Sequence, residues 1–479
     1  MVVGELSEEV EVLVIGGGAG GYAAAFRAAD LGLDVTLVNA EERPGGVCLF
    51  RGCIPSKTLL YAAEMVKAAG EVERMGIRFG KPDIDFNRLR EVRDEVINKL
   101  ATGLEQLAKK RGVRLVQGRA QFESSNEVFL SESESRRMRF RHAILATGSL
   151  PNNFPGMSFE KGSRIMDSSA ALKIEKIPDS LLIIGGGYIG LEFGTIYASL
   201  GARVTVVEMM DRLMAGVDRD LMDPLIKELD GLFEEVHLNT KVSDLKETDK
   251  GVEATFEGDD APQTFDQALI AVGRHPNTEN LGLENTKVEL NEKGYVTVNE
   301  RQQTNDKNIF AVGDVVGGKL LAHKAFHEGR VAAEVIAGKP SAFDARAIPK
   351  VVFTDPQIAW CGLTQDAAEA EGRKVKVVRF PWSASGRAVC MGQTEGVTKM
   401  ILDPDTGRIL GVGIVGRNAG EMISEAVLAM EMGAVAEDVA LTIHPHPTLS
   451  ETLGEAAGAF LGTAVDILPQ RENDPDSAE

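Results

Sequence analysis

An internal duplication of a glycine-rich motif constrains the fold more than any other feature of the sequence. Sliding the chain by 169 residues lays residues 12–39 over residues 181–208 without a gap. Each copy reads as a short apolar strand, a G-x-G-x-x-G turn, a helix of small residues and a second apolar strand. The motif glycines are Gly16, Gly18 and Gly21 in the first copy and Gly185, Gly187 and Gly190 in the second.

This order of strand, turn and helix is the context in which the motif binds a dinucleotide. The first glycine makes the tight turn, the second lets the backbone approach a pyrophosphate, and the third lets the helix pack on the strand. The pyrophosphate then lies at the helix N-terminus. A glycine-rich turn without a ligand is the alternative for either copy alone, but the repetition in register favours two dinucleotide sites.

The two copies differ at the residue that ends the second strand. Glu208 holds this position in the second copy, where a carboxylate accepts hydrogen bonds from the adenosine 2′-hydroxyl and repels a 2′-phosphate. The second copy is therefore predicted to bind NAD and not NADP. Asn39 holds the same position in the first copy, and its neutral side chain is a weaker acceptor for a ribose.

Composition and charge exclude several classes of protein. A chain of 479 residues with 43% hydrophobic and 26% charged residues is globular, with room for about three domains. The uncharged residues 12–26 are too few to span a bilayer, which needs about 20. The first eleven residues carry no Lys or Arg, so we expect a cytoplasmic protein without a signal peptide. A net charge of −20 disfavours nucleic acid and anionic lipid as partners.

Cysteine chemistry is concentrated between the two copies. Cys48 and Cys53 lie five residues apart in the segment GGVCLFRGCIPSK, directly before a helix predicted over residues 55–69. A helix start and the nearby Lys57 are both expected to lower a thiol pKa. With only four cysteines in the chain, any disulfide would be catalytic. Two buried core thiols are the alternative, and a zinc site would need ligands that the isolated Cys361 and Cys390 do not supply.

Further motifs make the chain resemble a known enzyme family over residues 11 to about 469. They are ATG at 146–148, AVGR at 271–274, IFAVGDV at 309–315, LAHKAFHEG at 321–329 and TIHPHPTLSE at 442–451. The sequence is similar to the FAD-dependent pyridine-nucleotide disulfide oxidoreductases, and within them to the dihydrolipoamide dehydrogenases. The resemblance implies an α/β fold with two Rossmann-like domains, one for FAD and one for NAD, and a C-terminal α+β dimerisation domain.

The same resemblance implies the domain order. Residues 1–149 would bind FAD, residues 150–275 would bind NAD, residues 276–345 would complete the FAD site, and residues 346–479 would form the dimer interface. Apolar residues at helical spacing in 422–432 are candidate contacts between the subunits of a homodimer. The polar residues 471–479 are predicted to be disordered.

Residue roles follow from the resemblance by position. Cys48 would exchange with the substrate, and Cys53 would lie as a thiolate against the flavin. Lys57 would lie near the flavin and pair with Glu192 beside the nicotinamide pocket. The remaining cofactor contacts implied by the family are Ala120, Thr147, Gly148, Asp314 and Ala322 for FAD, and Val242 and Gly273 for NAD.

The histidine motif supplies the acid–base chemistry in this interpretation. His446 would be the acid–base catalyst, Glu451 would fix its tautomer, and the bond from His446 to Pro447 would be cis. In family members this histidine reaches the cysteines of the other subunit. His444, two residues earlier, suggests a metal pair as an alternative, but a third ligand is not apparent.

The implied reaction transfers two electrons from dihydrolipoyl groups to NAD⁺ through the cysteine pair and FAD. The implied partners are the lipoyl domains of 2-oxo acid dehydrogenase acyltransferases or the glycine-cleavage H protein. Val47, Phe50 and Arg51 depart from the residues common around the exchange cysteine, so a related disulfide reductase with another dithiol or disulfide remains an alternative. A flavin-bound redox sensor or scaffold with little turnover is a second alternative.

Overall fold

The structure is a computed structural model that describes residues 7–133, 137–154, 159–160, 162–258 and 261–468. The predicted disordered tail, residues 471–479, lies outside these ranges. Within them, no helix is both long enough and apolar enough to cross a membrane. The cytoplasmic location stays a prediction.

The described residues form 22 strands, numbered here in chain order. They are β1 (Glu8–Ile15), β2 (Val35–Asn39), β3 (Arg114–Gln117), β4 (Arg119–Ser124), β5 (Glu127–Ser131), β6 (Arg137–Leu145), β7 (Ser149–Pro151), β8 (Ile165–Met166), β9 (Ser180–Ile184), β10 (Arg203–Val207), β11 (Glu235–His237), β12 (Val242–Thr248), β13 (Gly251–Phe256), β14 (Gln263–Phe265), β15 (Gln267–Ile270), β16 (Arg274–Pro276), β17 (Ile309–Ala311), β18 (Lys350–Val352), β19 (Gln357–Gly362), β20 (Lys376–Pro381), β21 (Val397–Leu402) and β22 (Ile409–Gly416).

The described residues also form 13 α-helices. They are α1 (Ala19–Asp30), α2 (Gly46–Arg51), α3 (Cys53–Glu71), α4 (Phe86–Lys110), α5 (Ser168–Ala171), α6 (Tyr188–Ser199), α7 (Arg219–Leu232), α8 (Ala322–Ile336), α9 (Gln365–Ala370), α10 (Gly386–Met391), α11 (Ala419–Met432), α12 (Ala436–Ala440) and α13 (Glu451–Leu461).

The chain divides into two compact units. The first comprises Met1–Leu59, Asp83–Lys176 and Ile270–Asp344, and the second comprises Leu60–Pro82, Ile177–Leu269 and Ala345–Glu479. Both units are discontinuous in sequence, so each is completed by segments that are distant along the chain. The four domain boundaries drawn from the sequence stay a prediction.

A seven-stranded sheet organises the first unit. Its order is β3-β2-β1-β6-β5-β4, with β17 also paired to β6. Strand β1 pairs in parallel with β2 and β6, and its residues 12–15 are buried as a continuous apolar run. A strand covered on both faces needs such a run, since neither face reaches water. The first glycine motif follows this strand at its carboxyl end.

The second unit repeats this arrangement and adds antiparallel sheets. Parallel strands β9, β10 and β11 neighbour one another in the order β11-β10-β9-β15, and the second glycine motif follows β9. Strands β12 to β14 form an antiparallel sheet. A five-stranded sheet of order β18-β19-β22-β21-β20 shares an apolar core with α11 and α13. The predicted α/β fold with two Rossmann-like units and a C-terminal α+β domain is confirmed.

Candidate active site

The first glycine motif forms a tight turn between β1 and α1. Gly16 has φ +105°, a conformation that side-chain-bearing residues rarely adopt. A Cβ atom on Gly21 would lie 1.8 Å from the carbonyl oxygen of Gly16, so only glycine lets α1 begin so close to β1. A Cβ atom on Gly18 would have its nearest neighbour 4.0 Å away. The turn therefore leaves its middle glycine accessible beside the N-terminus of α1.

The second motif has the same local geometry. Gly185 has φ +111°, and a Cβ atom on Gly190 would lie 2.0 Å from the carbonyl oxygen of Gly185. Around Gly187 an added Cβ atom would meet no heavy atom within 4 Å. Both turns can therefore admit a phosphate group at a helix N-terminus.

Asn39 and Glu208, the residues that differ between the copies, both bind the turn itself. The Oε2 atom of Glu208 accepts a hydrogen bond from the Gly186 amide at 2.7 Å, and Oε1 accepts one from the Met210 amide at 2.8 Å. A carboxylate has about four lone-pair sites, so Glu208 keeps acceptor capacity for ribose hydroxyls.

The Asn39 side chain makes more hydrogen bonds to its own loop than the Glu208 side chain does. Its Oδ1 atom accepts from the Gly17 amide at 3.0 Å, and its Nδ2 atom donates to the carbonyls of Glu41 and Arg43 at 2.8 and 2.9 Å. Both amide protons are engaged, so one lone pair of Oδ1 remains for a ribose. The sequence indicated only a weaker acceptor, whereas the structure also gives Asn39 a role in holding the loop.

Glycine residues allow the cysteine pair to lie close to the first glycine motif. Cys48 lies in α2 and Cys53 begins α3, with Gly52 alone between the two helices. A Cβ atom on Gly52 would lie 3.0 Å from the carbonyl oxygen of Val47, and one on Gly46 would lie 2.6 Å from the Cα atom of Gly18. These close approaches place the two cysteines next to the accessible turn of the first motif. The predicted helix 55–69 is present as α3.

The two thiols are in hydrogen-bonding contact with each other. The hydrogen bond to Cys53 is the main cause that raises the pKa of Cys48, followed by burial and by the negative charge of Cys53, while Lys57 acts in the opposite direction. Lys57 and the amide of Cys53, the first residue of α3, each lower the pKa of Cys48 as predicted, but the other causes outweigh them and the pKa of Cys48 is raised on balance. A charge on one sulfur opposes a second charge on its neighbour, so Cys48 keeps its proton when Cys53 is ionised.

Lys57 and Glu192 belong to different compact units, and their pairing stays a prediction. Lys57 lies on α3, one helical turn after Cys53, and acts electrostatically on Cys48. Glu192 is buried on α6, with 4% of its surface exposed, and its Oε1 atom accepts from the Phe353 amide at 3.0 Å. A buried carboxylate held by a backbone amide has a fixed position.

Asp314 lies just after β17, within the segment IFAVGDV. Its Oδ2 atom accepts from the Ser149 hydroxyl at 2.5 Å, and Arg274 donates to the Ser149 hydroxyl and carbonyl at 2.8 and 2.6 Å. The preceding amide of Gly313 donates to Glu328 at 2.8 Å, and Glu328 pairs with Lys324 at 2.6 Å. This network fixes the Asp314 carboxylate without using all of its oxygen lone pairs.

The other predicted cofactor residues lie on both units. In the first unit, the hydroxyl of Thr147 donates to the carbonyl of Asn277 at 2.7 Å, and Gly148 and Gly273 have positive φ. Ala322 begins α8 and Ala120 is buried in β4. In the second unit, Val242 is buried at the start of β12.

The His446 side chain is exposed to solvent, and a carboxylate binds its Nδ1 atom. Its side chain is 79% exposed, and Nδ1 lies 2.8 Å from Oε1 of Glu451, the first residue of α13. A carboxylate can only accept, so Nδ1 carries the proton and Nε2 is left with a lone pair. The His446–Pro447 bond is cis, which confirms that prediction.

Hydrogen bonds keep Glu451 ionised. Burial opposes its negative charge, but the Thr448 amide at 2.6 Å, the contact with His446 and the charges of His446 and His444 together lower the pKa of Glu451 below its ordinary value. The pair can therefore hold a fixed tautomer and stabilise a proton gained at Nε2 of His446.

His444 does not form a metal pair with His446. Its Nε2 atom lies 2.8 Å from Oε1 of Glu425 on α11. In the part of the chain that the structure describes, no three His, Cys, Asp or Glu side chains are grouped as a metal site. Cys361 is buried with its sulfur 3.6 Å from that of Met430, and Cys390 is exposed on α10.

Sequence reasoning missed several residues near the candidate site. Tyr22 lies within electrostatic range of the thiols, and burial, followed by the charges of Cys48 and Cys53, raises its pKa to about 12. Its position directly after the third glycine was the available signal. The partners of Asp314 and the Glu425–His444 pair join residues far apart in sequence, so no local pattern could have indicated them.

Comparisons with known proteins agree with this geometry. Residues 10–329 match the family described as pyridine nucleotide-disulphide oxidoreductase, and residues 348–457 match its dimerisation domain. The dihydrolipoyl dehydrogenase of Vibrio parahaemolyticus is 44% identical over 468 residues, covering 96% of this chain and 98% of that protein. The dihydrolipoyl dehydrogenase of Geobacillus stearothermophilus is 44% identical over 471 residues, covering 98% and 100%.

Solved structures give the same fold. LpdA from Mycobacterium tuberculosis superposes with a TM-score of 0.87 at 26% identity, covering 94% of this chain and 99% of that one. The HOCl-induced flavoprotein disulfide reductase RclA from Escherichia coli superposes with a TM-score of 0.83 at 28% identity, covering 94% and 99%. The family predicted from the motifs is confirmed.

Proposed function

Because the chain belongs to the pyridine nucleotide-disulphide oxidoreductase family, we propose that its cysteine pair oxidises protein-bound dihydrolipoyl groups, with NAD⁺ as the final electron acceptor. The enzyme is an FAD-dependent oxidoreductase that acts on a sulfur group, and it is a homodimer. The observation that carries the proposal is the placement of Cys48 and Cys53 beside the first glycine turn. The name and near-complete coverage of the curated relatives support the dihydrolipoyl substrate.

The residues of the first unit fit FAD. The turn at Gly16–Gly21 leaves space for a pyrophosphate, and Asp314 is held with lone pairs to spare for hydroxyl groups. Thr147 and Gly148 lie after β6, at the carboxyl end of the sheet where ligands of such folds bind. Bound FAD would supply the two-electron relay between the dithiol and NAD⁺.

The residues of the second unit fit NAD⁺. Gly187 leaves space for the pyrophosphate, and Glu208 keeps acceptor capacity for the adenosine ribose. The charge of Glu208 would repel the 2′-phosphate of NADP⁺, so we infer a preference for NAD⁺. Glu192, buried and fixed by Phe353, would meet Lys57 beside the nicotinamide, as in the family interpretation.

The chain's own residues suffice for the thiol exchange. Nε2 of His446 from one subunit takes the proton of a substrate thiol, and the resulting thiolate attacks Cys48 of the oxidised pair. The Cys48–Cys53 bond breaks, a mixed disulfide forms, and Cys53 leaves as a thiolate. The second substrate thiol then attacks the substrate sulfur of the mixed disulfide, which releases the lipoyl disulfide. Cys48 leaves with the proton held by His446, and the proton of the second thiol passes to the freed Nε2 of His446.

The raised pKa of Cys48 suits this sequence of steps. After exchange, the negative charge rests on Cys53, and the hydrogen bond between the sulfurs keeps the proton on Cys48. The thiolate is thus held at the sulfur that we assign to the flavin side. Oxidation of the dithiol by NAD⁺ regenerates the disulfide and releases one proton for each NADH.

The partners in this proposal are lipoyl domains of 2-oxo acid dehydrogenase acyltransferases or the glycine-cleavage H protein. The His446 side chain is 79% exposed in the single chain, which leaves it accessible to the partner subunit of the dimer and to a substrate. Exposed apolar side chains of Leu428 and Met432 on α11 would contribute to the dimer contact, within the predicted segment 422–432.

Anaerobic stopped-flow tests the proposal. The FAD-loaded dimer is mixed with dihydrolipoamide and then with NAD⁺, while flavin absorbance and NADH are followed. We expect rapid flavin reduction and NADH formation, with NADP⁺ and glutathione nearly inactive and Cys48→Ser losing both signals. Unchanged turnover of Cys48→Ser would overturn the disulfide mechanism. Reduction by another dithiol but not by dihydrolipoamide would overturn the substrate assignment.

A further inference from the structure

A second histidine–carboxylate pair lies two residues before His446. His444 Nε2 is 2.8 Å from Oε1 of Glu425 on α11, and the His444 side chain is only 9% exposed. The two histidines therefore differ sharply: His446 is open to solvent on its outer side, whereas His444 is enclosed. An enclosed imidazole bound to a carboxylate is suited to holding a segment in place.

The opposite side of the His444 ring is closed by α13. A Cβ atom on Gly454 would lie 3.0 Å from Nδ1 and 3.1 Å from Cε1 of His444, which is tighter than most side-chain contacts. Glycine at this helical position lets the ring lie against the helix backbone. His444 thus lies between α11 and α13.

The segment that follows is anchored on α13 as well. The Thr448 amide donates to Glu451 at 2.6 Å, and the Thr448 hydroxyl donates to the Pro445 carbonyl at 2.7 Å. Residues 444–448 are therefore tied to α11 at one end and to α13 at the other, with His446 between the two anchors. Two anchors a few residues apart leave little freedom for the backbone that carries His446.

We propose that His444, held by Glu425, is a positioning residue that fixes the backbone of His446 for proton transfer to and from the substrate thiol. This inference rests on the proposed role of His446 as the base. His444 touches neither substrate nor cofactor in it and acts only through the segment. A displacement of about 1 Å in such a segment is enough to reduce turnover by about 100-fold.

The experiment compares two reactions of the FAD-loaded dimer. Oxidation of dihydrolipoamide by NAD⁺ needs the base, whereas oxidation of NADH by ferricyanide uses the flavin without it. We expect His444→Leu and Glu425→Ala to lower kcat for dihydrolipoamide by about 10- to 100-fold, with KM for NAD⁺ and the ferricyanide rate within twofold of the parent. Glu425→Gln, which can still accept from His444, should restore most of the rate.

Alanine substitutions at two glycines, one beside His444 and one in open space, test the inference sterically. Gly454→Ala should lower dihydrolipoamide oxidation because its methyl group displaces His444, whereas Gly231→Ala on α7, where a Cβ atom meets nothing within 4 Å, should not. Equal loss of both reactions in His444→Leu and Glu425→Ala would show a general structural role and overturn the inference. Dihydrolipoamide oxidation within twofold of the parent in Glu425→Ala would also overturn it.

His446→Gln separates this inference from the proposed function. If His446→Gln retains dihydrolipoamide oxidation, the role assigned to His446 fails, and the positioning role of His444 fails with it. If His446→Gln loses that reaction but Glu425→Ala keeps it, only the inference about His444 fails. If both lose it while ferricyanide reduction persists, both stand.

Discussion

The two glycine motifs share a backbone and differ in their side chains. Both turns have a first glycine with φ between 105° and 111° and a third glycine whose Cβ atom would lie about 2 Å from a carbonyl oxygen. In both turns the amide of the residue after the first motif glycine donates to the residue at the end of the second strand, from Gly17 to Asn39 in one and from Gly186 to Glu208 in the other. The duplication therefore preserves the phosphate-binding backbone and leaves ligand selection to a few side chains.

The helices that follow the turns extend this contrast. In register, Tyr22 of α1 matches Leu191 of α6, and Ala23 matches Glu192. Tyr22 lies within electrostatic range of the thiols, whereas Glu192 is buried and bound to the backbone of Phe353. The two helices thus place different side chains at neighbouring positions of the repeat.

The largest effect is expected from closing either turn with a side chain. Gly190→Val should lower NADH formation by about 100-fold or more, equivalent to about 3 kcal/mol, because the side chain cannot fit against the Gly185 carbonyl. Flavin content and flavin reduction by dihydrolipoamide should persist. Gly21→Val should instead yield protein without flavin.

The two variants are followed by different measurements, so the effects of the two motifs can be told apart. Flavin absorbance per protein reports the first motif, and steady-state NADH formation reports the second. Flavin loss in Gly190→Val, or normal NADH formation by it, would contradict the assignment of the second motif to NAD⁺. Gly231→Ala, in open space on α7, is the control for helix substitutions.

A smaller effect is expected at the ribose position of the second motif. Glu208→Gln should raise KM for NAD⁺ by about 10- to 100-fold, since hydrogen bonds to charged groups contribute about 1.5–3 kcal/mol. The discrimination against NADP⁺ should fall in parallel, and flavin reduction by dithiol should be unchanged. Glu257→Gln, an exposed carboxylate directly after β13, is the control. An unchanged KM would rule out ribose binding by Glu208.

The matching residue of the first motif should affect stability more than catalysis. Asn39→Asp removes the donors that bind the carbonyls of Glu41 and Arg43, so we expect flavin release at lower urea and a destabilisation of about 1–2 kcal/mol. Flavin fluorescence during urea unfolding measures it. Asn126→Asp, at an exposed site, should leave the midpoint in place. Equal midpoints for both variants would contradict a loop-holding role.

The smallest effect is expected from Tyr22→Phe. Burial, followed by the charges of Cys48 and Cys53, raises the Tyr22 pKa from 10.0 to about 12, so the phenol stays protonated throughout pH 6–9. The pH dependence of turnover in that range should therefore be unchanged. Above pH 10 the parent should lose stability as the phenol is forced to ionise, and Tyr22→Phe should lose less. A shifted pH profile at pH 6–9 would contradict the raised pKa.

Sequence patterns predicted those parts of the site that are formed by residues close together along the chain. The glycine turns need φ values and contacts that only glycine permits, so spacing alone indicated them. The helix after Cys53 and the cis bond at His446–Pro447 were also predicted, the latter from the family resemblance.

Contacts between distant segments were not predictable. The raised pKa of Cys48 arises because Gly52 brings a second sulfur within hydrogen-bonding contact, and this outweighs the helix start and Lys57. Asn39 binds two carbonyls of a loop whose path no motif defines. Glu425 on α11 meets His444, 19 residues later in the chain, where pairing depends on packing and not on spacing.

The single-glycine link between α2 and α3 has a consequence for the speed of the redox cycle. The Gly45 amide donates to the Gly17 carbonyl at 2.7 Å, and Gly46 touches Gly18, so the backbone on the Cys48 side is anchored to the turn. Breaking and remaking the bond between the sulfurs then requires rotation of two short side chains while the main chain stays where it is. Because the sulfurs are already in contact before the bond between them forms, little entropy is lost in bringing them together, whichever dithiol reduces the pair.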